Sequence, residues 1–292
     1  MFDHDETLAE ARARNVRDAL FEDIGRQDWT GLLIPADKRV RAVVRVREGA
    51  ILCGRDWFCS CISTLDPTNR IAWKYGEGAT MSADTEVCHI EANARALLTA
   101  ERPALNFLQL LSGTATVTRR HVEAIEGAAT SPRGCAVLDT RKTLPGLRQA
   151  QKYAVRVGGG RNQRLALWHG VLIKENHIMA AGSIAAAVAR AKALPNPPRI
   201  EVEVETLAEL REAIAAGADV ALLDNFPLTD LRAAVAINRS AGKPLLLEAS
   251  GGVSLDTVQA IAATGVDFVS VGAMTKHVSA VDLSMRFEWN AA

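Results

Sequence analysis

Arg141 and Lys142 stand inside "DTRKT", residues 139–143, directly after the apolar run Cys135-Ala136-Val137-Leu138. A short apolar run bounded by polar residues reads as a buried strand, so two cations emerge where a core element reaches the surface. They have company. Residues 139–178 carry eight basic side chains (Arg141, Lys142, Arg148, Lys152, Arg156, Arg161, Arg164, Lys174) against two acidic ones, Asp139 and Glu175. The whole chain is neutral, with 34 Lys plus Arg against 34 Asp plus Glu, so no global field recruits nucleic acid or an anionic membrane. An anionic ligand must be met by this local cluster.

Not all eight belong to a site. In "LPGLRQAQKYAVRVGGG", Leu147, Ala150, Ala154 and Val157 make one helical face, and Arg148, Lys152 and Arg156 fall at i, i+4 and i+8 on another, expected to be solvated. Arg141, Lys142, Arg164 and Lys174 sit at strand ends or just past the turn "VGGGRNQR". Arginine offers a planar fork that matches carboxylate or phosphate and lysine a point charge, so these four suit ligands bearing several of both. Glu203 and Asp224 add carboxylates to the same set. Beside an anion site they can hold a divalent cation or ribose hydroxyls, stabilise an oxocarbenium-like sugar, or pair with a site lysine.

The elements that must position these residues begin near residue 115. Apolar strands at "CAVLD", "GVLIKENH", "IEVEVE", "VALLDNF", "PLLLEASGG" and "DFVSVGA" alternate with helical patterns such as "LAELREAIAAGA", "LTDLRAAVAINRSAG" and "SLDTVQAIAATG". Such alternation argues for a parallel sheet covered by helices, in which ligands collect at the strand C-termini. Polar or glycine residues stand at those ends: Thr140-Arg141-Lys142, Lys174-Glu175, Glu203 and Glu205, Asp224-Asn225, Glu248 with Ser250-Gly251-Gly252, and Gly272-Ala273. Glycines after the last two strands are where a barrel commonly holds a phosphate on backbone N–H groups.

Upstream the pattern is mixed. Residues 6–24 are helical in period, and Arg39–Arg47 alternates strictly, as a half-exposed strand does. "EANARALLTAERPALNFLQLLSG" is helical, with Pro103 starting a new helix or kinking a continuous one and Gly113 as the stop. Arg102 is the one basic residue here set apart from the surface. The chain of 292 residues, 48% hydrophobic and 23% charged, can bury a large core in one or two domains. "MFDHDETLAE" has neither a basic nor an apolar targeting region, and no stretch approaches 18 uninterrupted apolar residues, so a soluble cytoplasmic protein is expected. Five cysteines, Cys53, Cys59, Cys61, Cys88 and Cys135, are expected to be reduced and small buried hydrophobes; Cys59-x-Cys61 and Cys88-His89 lack a partner pair at zinc spacing. No spacing marks His177 or His277 as a base.

"DTRKTLPGLRQAQKYAVRVGGGRNQR", "LIKENHI", "VEVE", "LLDNF", "EASGGV" and "VDFVSVGAMTKHVSAVDLSMRF", with the upstream "FEDIGRQDWT", "ARALLTAERPALNFLQLLSG" and "TATVT", together resemble the quinolinate phosphoribosyltransferase family of NAD biosynthesis from about residue 20 to 287. The resemblance implies an α/β fold of type II phosphoribosyltransferase architecture: an N-terminal α/β sandwich domain at residues 1–114, joined by the tail 278–292, and a TIM-like, incomplete α/β barrel at 115–277. It implies transfer of phosphoribosyl from phosphoribosyl pyrophosphate to quinolinate with release of CO₂, Mg²⁺ bound mainly through substrate with help from Glu203 and Asp224, and a homodimer or higher oligomer with shared sites. By that likeness Arg102 reaches across the interface to quinolinate, Arg141 and Arg164 hold its carboxylates, and Thr140, Lys142, Gln163 and Lys174 bind substrate. Lys142, Glu203 and Asp224 are the expected catalytic residues, and Ser250, Gly251, Gly252, Val271, Gly272 and Ala273 carry the 5-phosphate. Gln163 departs from the family's usual histidine; an amide hydrogen-bonds but cannot become cationic. Trp168-His169 also departs, at a position expected to be peripheral.

Rival readings are a paralogue acting on nicotinate or another ring acid, a Schiff-base aldolase using Lys142 or Lys174, and a catalytically dead regulator. One carboxylate fewer would leave one of Arg102, Arg141 and Arg164 redundant. Arg141 beside Lys142 is a poor setting for a desolvated lysine nucleophile, and a dead regulator would have lost Glu203, Asp224 or the lysines, all of which are present.

Overall fold

The computed structural model describes residues 3–288, which divide into two compact units: residues up to Arg119, with Thr143–Gly159 and the chain from His277; and Arg120–Lys142 with Gly160–Lys276. In chain order the elements of the N-terminal part are α1 (Leu8–Ile24), β1 (Arg39–Val46), β2 (Ala50–Ile51), α2 (Arg55–Leu65), β3 (Arg70–Trp73), β4 (Thr80–Met81), β5 (Glu86–Asn93) and α3 (Ala94–Ala124). They are followed by β6 (Ala136–Leu138), α4 (Arg148–Val157), β7 (Val171–Ile173), α5 (Glu175–Ala181), α6 (Ile184–Lys192), β8 (Ile200–Val204) and α7 (Leu207–Ala216). The remainder is β9 (Val220–Asp224), α8 (Leu228–Arg239), β10 (Leu246–Ser250), α9 (Leu255–Ala262), β11 (Phe268–Ser270), α10 (Ala273–Lys276) and β12 (Leu283–Glu288).

The first unit is built on an antiparallel sheet in the order β12-β1-β5-β3. The strict alternation of β1 puts Val40, Ala42, Val44 and Val46 into the core and leaves its arginines on the wet face, where Arg41 pairs with Glu91 at 2.9 Å and Arg45 with Glu86 at 2.6 Å. The C-terminal strand β12 pairs with β1 from Val46↔Leu283 to Arg41↔Glu288. Helix α4 also packs into this core: Ala150 and Ala154 are fully buried in it, and Tyr153 stacks on Trp57 with ring centroids 5.4 Å apart. Lys152 is therefore not on a solvated stripe. It is completely buried and partnered, as a charge taken out of water must be.

Gly113 does not end a helix. Helix α3 runs unbroken from Ala94 to Ala124, with Pro103 inside it, and "TATVT" belongs to it. The glycine is there because the backbone of Ser279 crosses so closely that a Cβ would lie 2.1 Å from its carbonyl oxygen. Gly113→Ala should therefore lower stability by about 2 kcal/mol through overpacking against main chain that cannot rotate away. A urea midpoint equal to wild type would refute that close contact.

The second unit is a single parallel sheet in the order β6-β11-β10-β9-β8-β7, wound with helices as an incomplete α/β barrel. All six strands fall where apolar runs place them, and β9 is buried along its first four residues. Helix starts follow the capping chemistry of the sequence: Thr206 and Glu209 form a capping box at α7, and Ser183 caps α6. At the open side, residues 160–162 add to the edge of β6, where Arg161 N donates to Val137 O at 2.8 Å and Asp139 N donates to Arg161 O at 3.2 Å. No described helix is long and apolar enough to cross a membrane.

Candidate active site at the strand C-termini

The strand ends of the second unit surround one cavity of about 280 Å³, lined by Thr140, Arg141, Lys142, Gln163, Arg164, Lys174, Glu203, Asp224, Ser250, Leu172, Leu222, Glu248 and Ser270. Nine of the residues anticipated from sequence are thus brought together. Gly251, Gly252, Val271, Gly272 and Ala273 stand at the same strand ends without lining it, and Arg102 lies in the other unit, exposed on α3 beside Glu22, Asp23 and Asn106.

"DTRKT" shows how the cations are held. Asp139, fully buried, accepts from Asn162 Nδ2 at 2.6 Å and Gln163 N at 3.0 Å, so the segment carrying Arg164 is tied to the end of β6. Thr140 Oγ1 accepts from Lys142 N at 3.0 Å, and Thr275 Oγ1 donates to Lys142 O at 2.8 Å, fixing the turn between them. Gly272 leaves room for the lysine stem: a Cβ there would meet Lys142 Cδ at 3.2 Å.

Arg164 is held in an uncomfortable state. Burial first, and the like charge of Arg141 second, push its pKa below the ordinary arginine value. Its Nε is buried with no hydrogen-bond partner among the described residues, and its Nη1 makes only a long bond of 3.3 Å to Gly170 O. A guanidinium with spare donors beside a second one is prepared for an incoming anion.

The carboxylates are distinct in role. Glu203 pairs with Lys174. Asp224, at the end of β9, accepts from Asn225 Nδ2 at 2.8 Å. Asn225 adopts a φ of 55° and its N–H donates to Ser250 O at 2.9 Å, which locks the ends of β9 and β10 together. Gly251 completes that lock: its φ is 98°, and a Cβ would stand 2.1 Å from Asn225 Oδ1. Gly252, with φ 59°, faces open space. No group of three or more His, Cys, Asp or Glu able to hold a metal exists among the described residues. Two carboxylates at the cavity fit a magnesium ion carried in by phosphate oxygens, which needs only one or two protein carboxylates.

Other sequence readings resolve simply. All five cysteines are free thiols, and burial pushes Cys61 and Cys135 up to about 12. His177 Nδ1 accepts from Lys174 N at 3.0 Å, a capping role at α5. His169 lines a second cavity, together with Arg161, Arg164 and Arg199.

Two cavity-lining residues escaped the sequence reading, Glu201 and Ser270, and Glu248 entered it only as a polar strand-end residue. Gln163 Nε2 donates to Glu201 Oε2 at 2.7 Å, and Ser270 Oγ donates to Glu248 Oε1. A signal existed for Glu201, which shares the period-two face of Glu203 in "IEVEVE". Glu248 had one too, as the lone charge within "PLLLEAS".

A small antiparallel-sheet unit and an incomplete parallel barrel with cations gathered at its strand C-termini define a phosphoribosyl transferase of the type II architecture. The chain belongs to the quinolinate phosphoribosyl transferase family, whose N-terminal domain model matches residues 27–112 and whose C-terminal domain model matches residues 114–286. It is 42% identical over 272 residues to a probable carboxylating nicotinate-nucleotide pyrophosphorylase of Synechocystis, covering 93% of this chain and 90% of that one. It is 38% identical over 280 residues to the carboxylating nicotinate-nucleotide pyrophosphorylase of Mycobacterium leprae, covering 94% and 97%. The solved nicotinate-nucleotide pyrophosphorylase of Francisella tularensis superposes with a TM-score of 0.90 at 45% identity, covering 98% of this chain and all of that one.

Proposed function

We propose that this chain transfers the phosphoribosyl group of phosphoribosyl pyrophosphate to the ring nitrogen of quinolinate, with loss of CO₂, giving nicotinate mononucleotide and pyrophosphate. The observation that carries the reading is the crowding of Arg141 against a partly buried Arg164 with spare donors, in one cavity with Lys142 and Lys174. Two adjacent guanidiniums suit two adjacent ring carboxylates. The names of the relatives point the same way.

Charge dictates the order of events. Quinolinate is a dianion and its co-substrate carries more charge still, so the basic cluster must offset repulsion before the ring nitrogen meets C1 of the ribose. Arg141 and Arg164 hold the carboxylates, while Lys142 and Lys174 draw in the phosphorylated sugar. Ser250–Gly252 and Val271–Ala273 offer backbone to the 5-phosphate. The nitrogen's electron pair forms the new bond to C1 as the bond to pyrophosphate breaks. Glu203 and Asp224 stand on the ribose side, where they stabilise positive charge at C1. Glu203 and Asp224 would help to hold a magnesium ion brought in with the phosphorylated sugar, and such an ion would supply charge neutralisation to the leaving group. The electron pair of the C–CO₂ bond then stays on the ring carbon as CO₂ departs, stabilised by the adjacent quaternised nitrogen, and that carbon takes a proton from water. No covalent enzyme intermediate is required, so catalysis is positioning and electrostatics.

A homodimer with shared sites completes the reading. Arg102 does not line the cavity that holds the other cations, and Phe21, Trp29 and Leu33, exposed by 78%, 76% and 79%, give the same unit an apolar surface fit for a second copy. A cytoplasmic location accords with free cysteines. The test is turnover by purified protein with Mg²⁺ and phosphoribosyl pyrophosphate, following mononucleotide and CO₂. Quinolinate turnover with CO₂ is expected; nicotinate turnover without CO₂ would replace this reading with that of a nicotinate-using paralogue.

A further inference from the structure

The second cavity, of about 430 Å³, has no part in the reaction described above and is of a size that small ligands occupy. Its walls come largely from the other end of the strands. Val171, Val220 and Phe268 are the first residues of β7, β9 and β11, and Arg199 directly precedes β8, with its carbonyl accepting from Val171 N at 3.1 Å. Side chains alternate along a strand, so Arg199, Glu201 and Glu203 follow one another on the same face at steps of roughly 6–7 Å. Glu203 reaches the active-site cavity, whereas Arg199 and Glu201 line the second one.

Exposed and buried groups of this cavity carry opposite charge. Arg161, His169 and Arg199 are exposed, and neither arginine has an ion-pair partner among the described residues. Two unpaired guanidiniums on one cavity are suited to a phosphate. The Arg199 guanidinium lies over the Phe268 ring, 6.0 Å from its centroid, which adds aromatic surface beside the cations. The buried lining is acidic: Glu201 and Glu248 are 7% and 2% exposed. Glu201 Oε2 accepts from Gln163 Nε2 at 2.7 Å, and Glu248 Oε1 accepts from Ser270 Oγ. Glu201 Oε1 is buried and receives no hydrogen bond among the described residues. A buried acceptor is normally given a donor, and this one borders a cavity that can admit it.

We propose that the second cavity binds a mononucleotide whose base carries an amino group, with the phosphate on Arg161 and Arg199, the base against Phe268 and the amino group donating to Glu201 Oε1. A bare anion would leave Glu201 unanswered and would meet two acids, and an uncharged ring would leave both arginines unanswered. A molecule with an anion at one end and an N–H donor on a flat ring at the other satisfies all of them. Arg164 links this site to the reaction, since Gln163, Arg164 and Glu248 line both cavities. The Arg164 Nε has no partner among the described residues, and its Nη1 donates at 3.3 Å to the carbonyl of Gly170, itself part of the second cavity. The ring nitrogens of a base are acceptors, so an occupied second cavity draws that guanidinium away from the substrate's carboxylate. The link to catalysis rests on the quinolinate reading; the binding does not.

The probe is adenosine 5′-monophosphate, titrated calorimetrically into the full chain with Mg²⁺ and saturating phosphoribosyl pyrophosphate, which keeps the active-site phosphate positions filled. One molecule should bind per chain, roughly tenfold or more tightly than inorganic phosphate or adenosine alone, because each of those makes only part of the contacts. Arg161→Ala and Arg199→Ala should each weaken binding by about tenfold or more, as loss of a charge-assisted hydrogen bond requires. Both side chains are exposed, so the melting temperatures and the quinolinate turnover measured without nucleotide should match wild type. In wild type the nucleotide should raise the KM for quinolinate severalfold and leave that for phosphoribosyl pyrophosphate unchanged, and in the two variants this effect should disappear. Inorganic phosphate binding as tightly as the nucleotide, or nucleotide binding unaltered in both variants, would overturn the site. Binding without any rise in the KM for quinolinate would overturn the link through Arg164. Nucleotide bound by a protein that does not turn over quinolinate would instead sink the proposed reaction and leave the site in place.

Discussion

Arg164→Ala is expected to cut kcat/KM for quinolinate by roughly 10²- to 10³-fold, about 3–4 kcal/mol of transition-state stabilisation, without lowering the melting temperature. The two halves of that expectation come from one cause. In the free protein the guanidinium is partly buried, shares a cavity with the like charge of Arg141, and is supplied with only one long hydrogen bond, so its removal relieves repulsion that the fold must tolerate. Sites of this kind trade stability for function. Glu201 and Glu203 answer the charge only in part in the free protein, so its deletion is felt most by the substrate's carboxylate. Arg164→Lys should recover little, because a point charge cannot reproduce the fork. Steady-state kinetics on quinolinate together with a thermal melt decide the matter. A variant that loses stability in proportion to activity would show that Arg164 is a structural residue whose partners lie within the protein.

The arginine itself was visible in the sequence, and the reason is instructive. Strand runs such as "VALLDNF" are continuous and apolar because both faces of a parallel sheet are covered, so the break to polar residues marks the C-terminal end sharply. Parallel strands all expose that end on one side, which gathers Lys142, Lys174, Glu203 and Asp224 without further information. What remained hidden depends on contacts distant in sequence. Gly113 obeys the local rule for a helix stop, yet it is glycine because Ser279 passes over it. Lys152 obeys the period of a solvated stripe, yet it is completely buried, which its own segment does not announce. Glu201 and Glu248 lie about fifty residues apart in sequence, on β8 and β10, yet line one cavity. Neither residue is remarkable in its own segment, apart from being charged within an apolar strand.

Asp139 was counted only as a charge, although it begins the very motif that drew attention to the site. Asp139→Ala should destabilise the protein by about 3 kcal/mol and lower kcat/KM by roughly 10²-fold or more. The carboxylate is fully buried and accepts from Asn162 Nδ2 at 2.6 Å and from Gln163 N at 3.0 Å. Its removal takes one acceptor each from two part-buried donors, at up to about 1–3 kcal/mol apiece. It also frees the segment that aims Gln163 into the Glu201 hydrogen bond and Arg164 into the cavity. Alanine at 139 therefore acts on catalysis through displacement of other groups, and a shift of about 1 Å is enough for the expected loss. Asp139→Asn separates the two effects. Its single carbonyl oxygen can accept from only one of the donors while its own N–H₂ opposes the other, so it should retain more stability than alanine yet recover less activity than stability. Urea unfolding and quinolinate kinetics on both variants give the comparison. If Asp139→Ala unfolds at the wild-type midpoint, the tie between the end of β6 and residues 162–163 carries no energy, and the rigid presentation of Arg164 must be sought in the backbone bridge of Arg161 to Val137 instead.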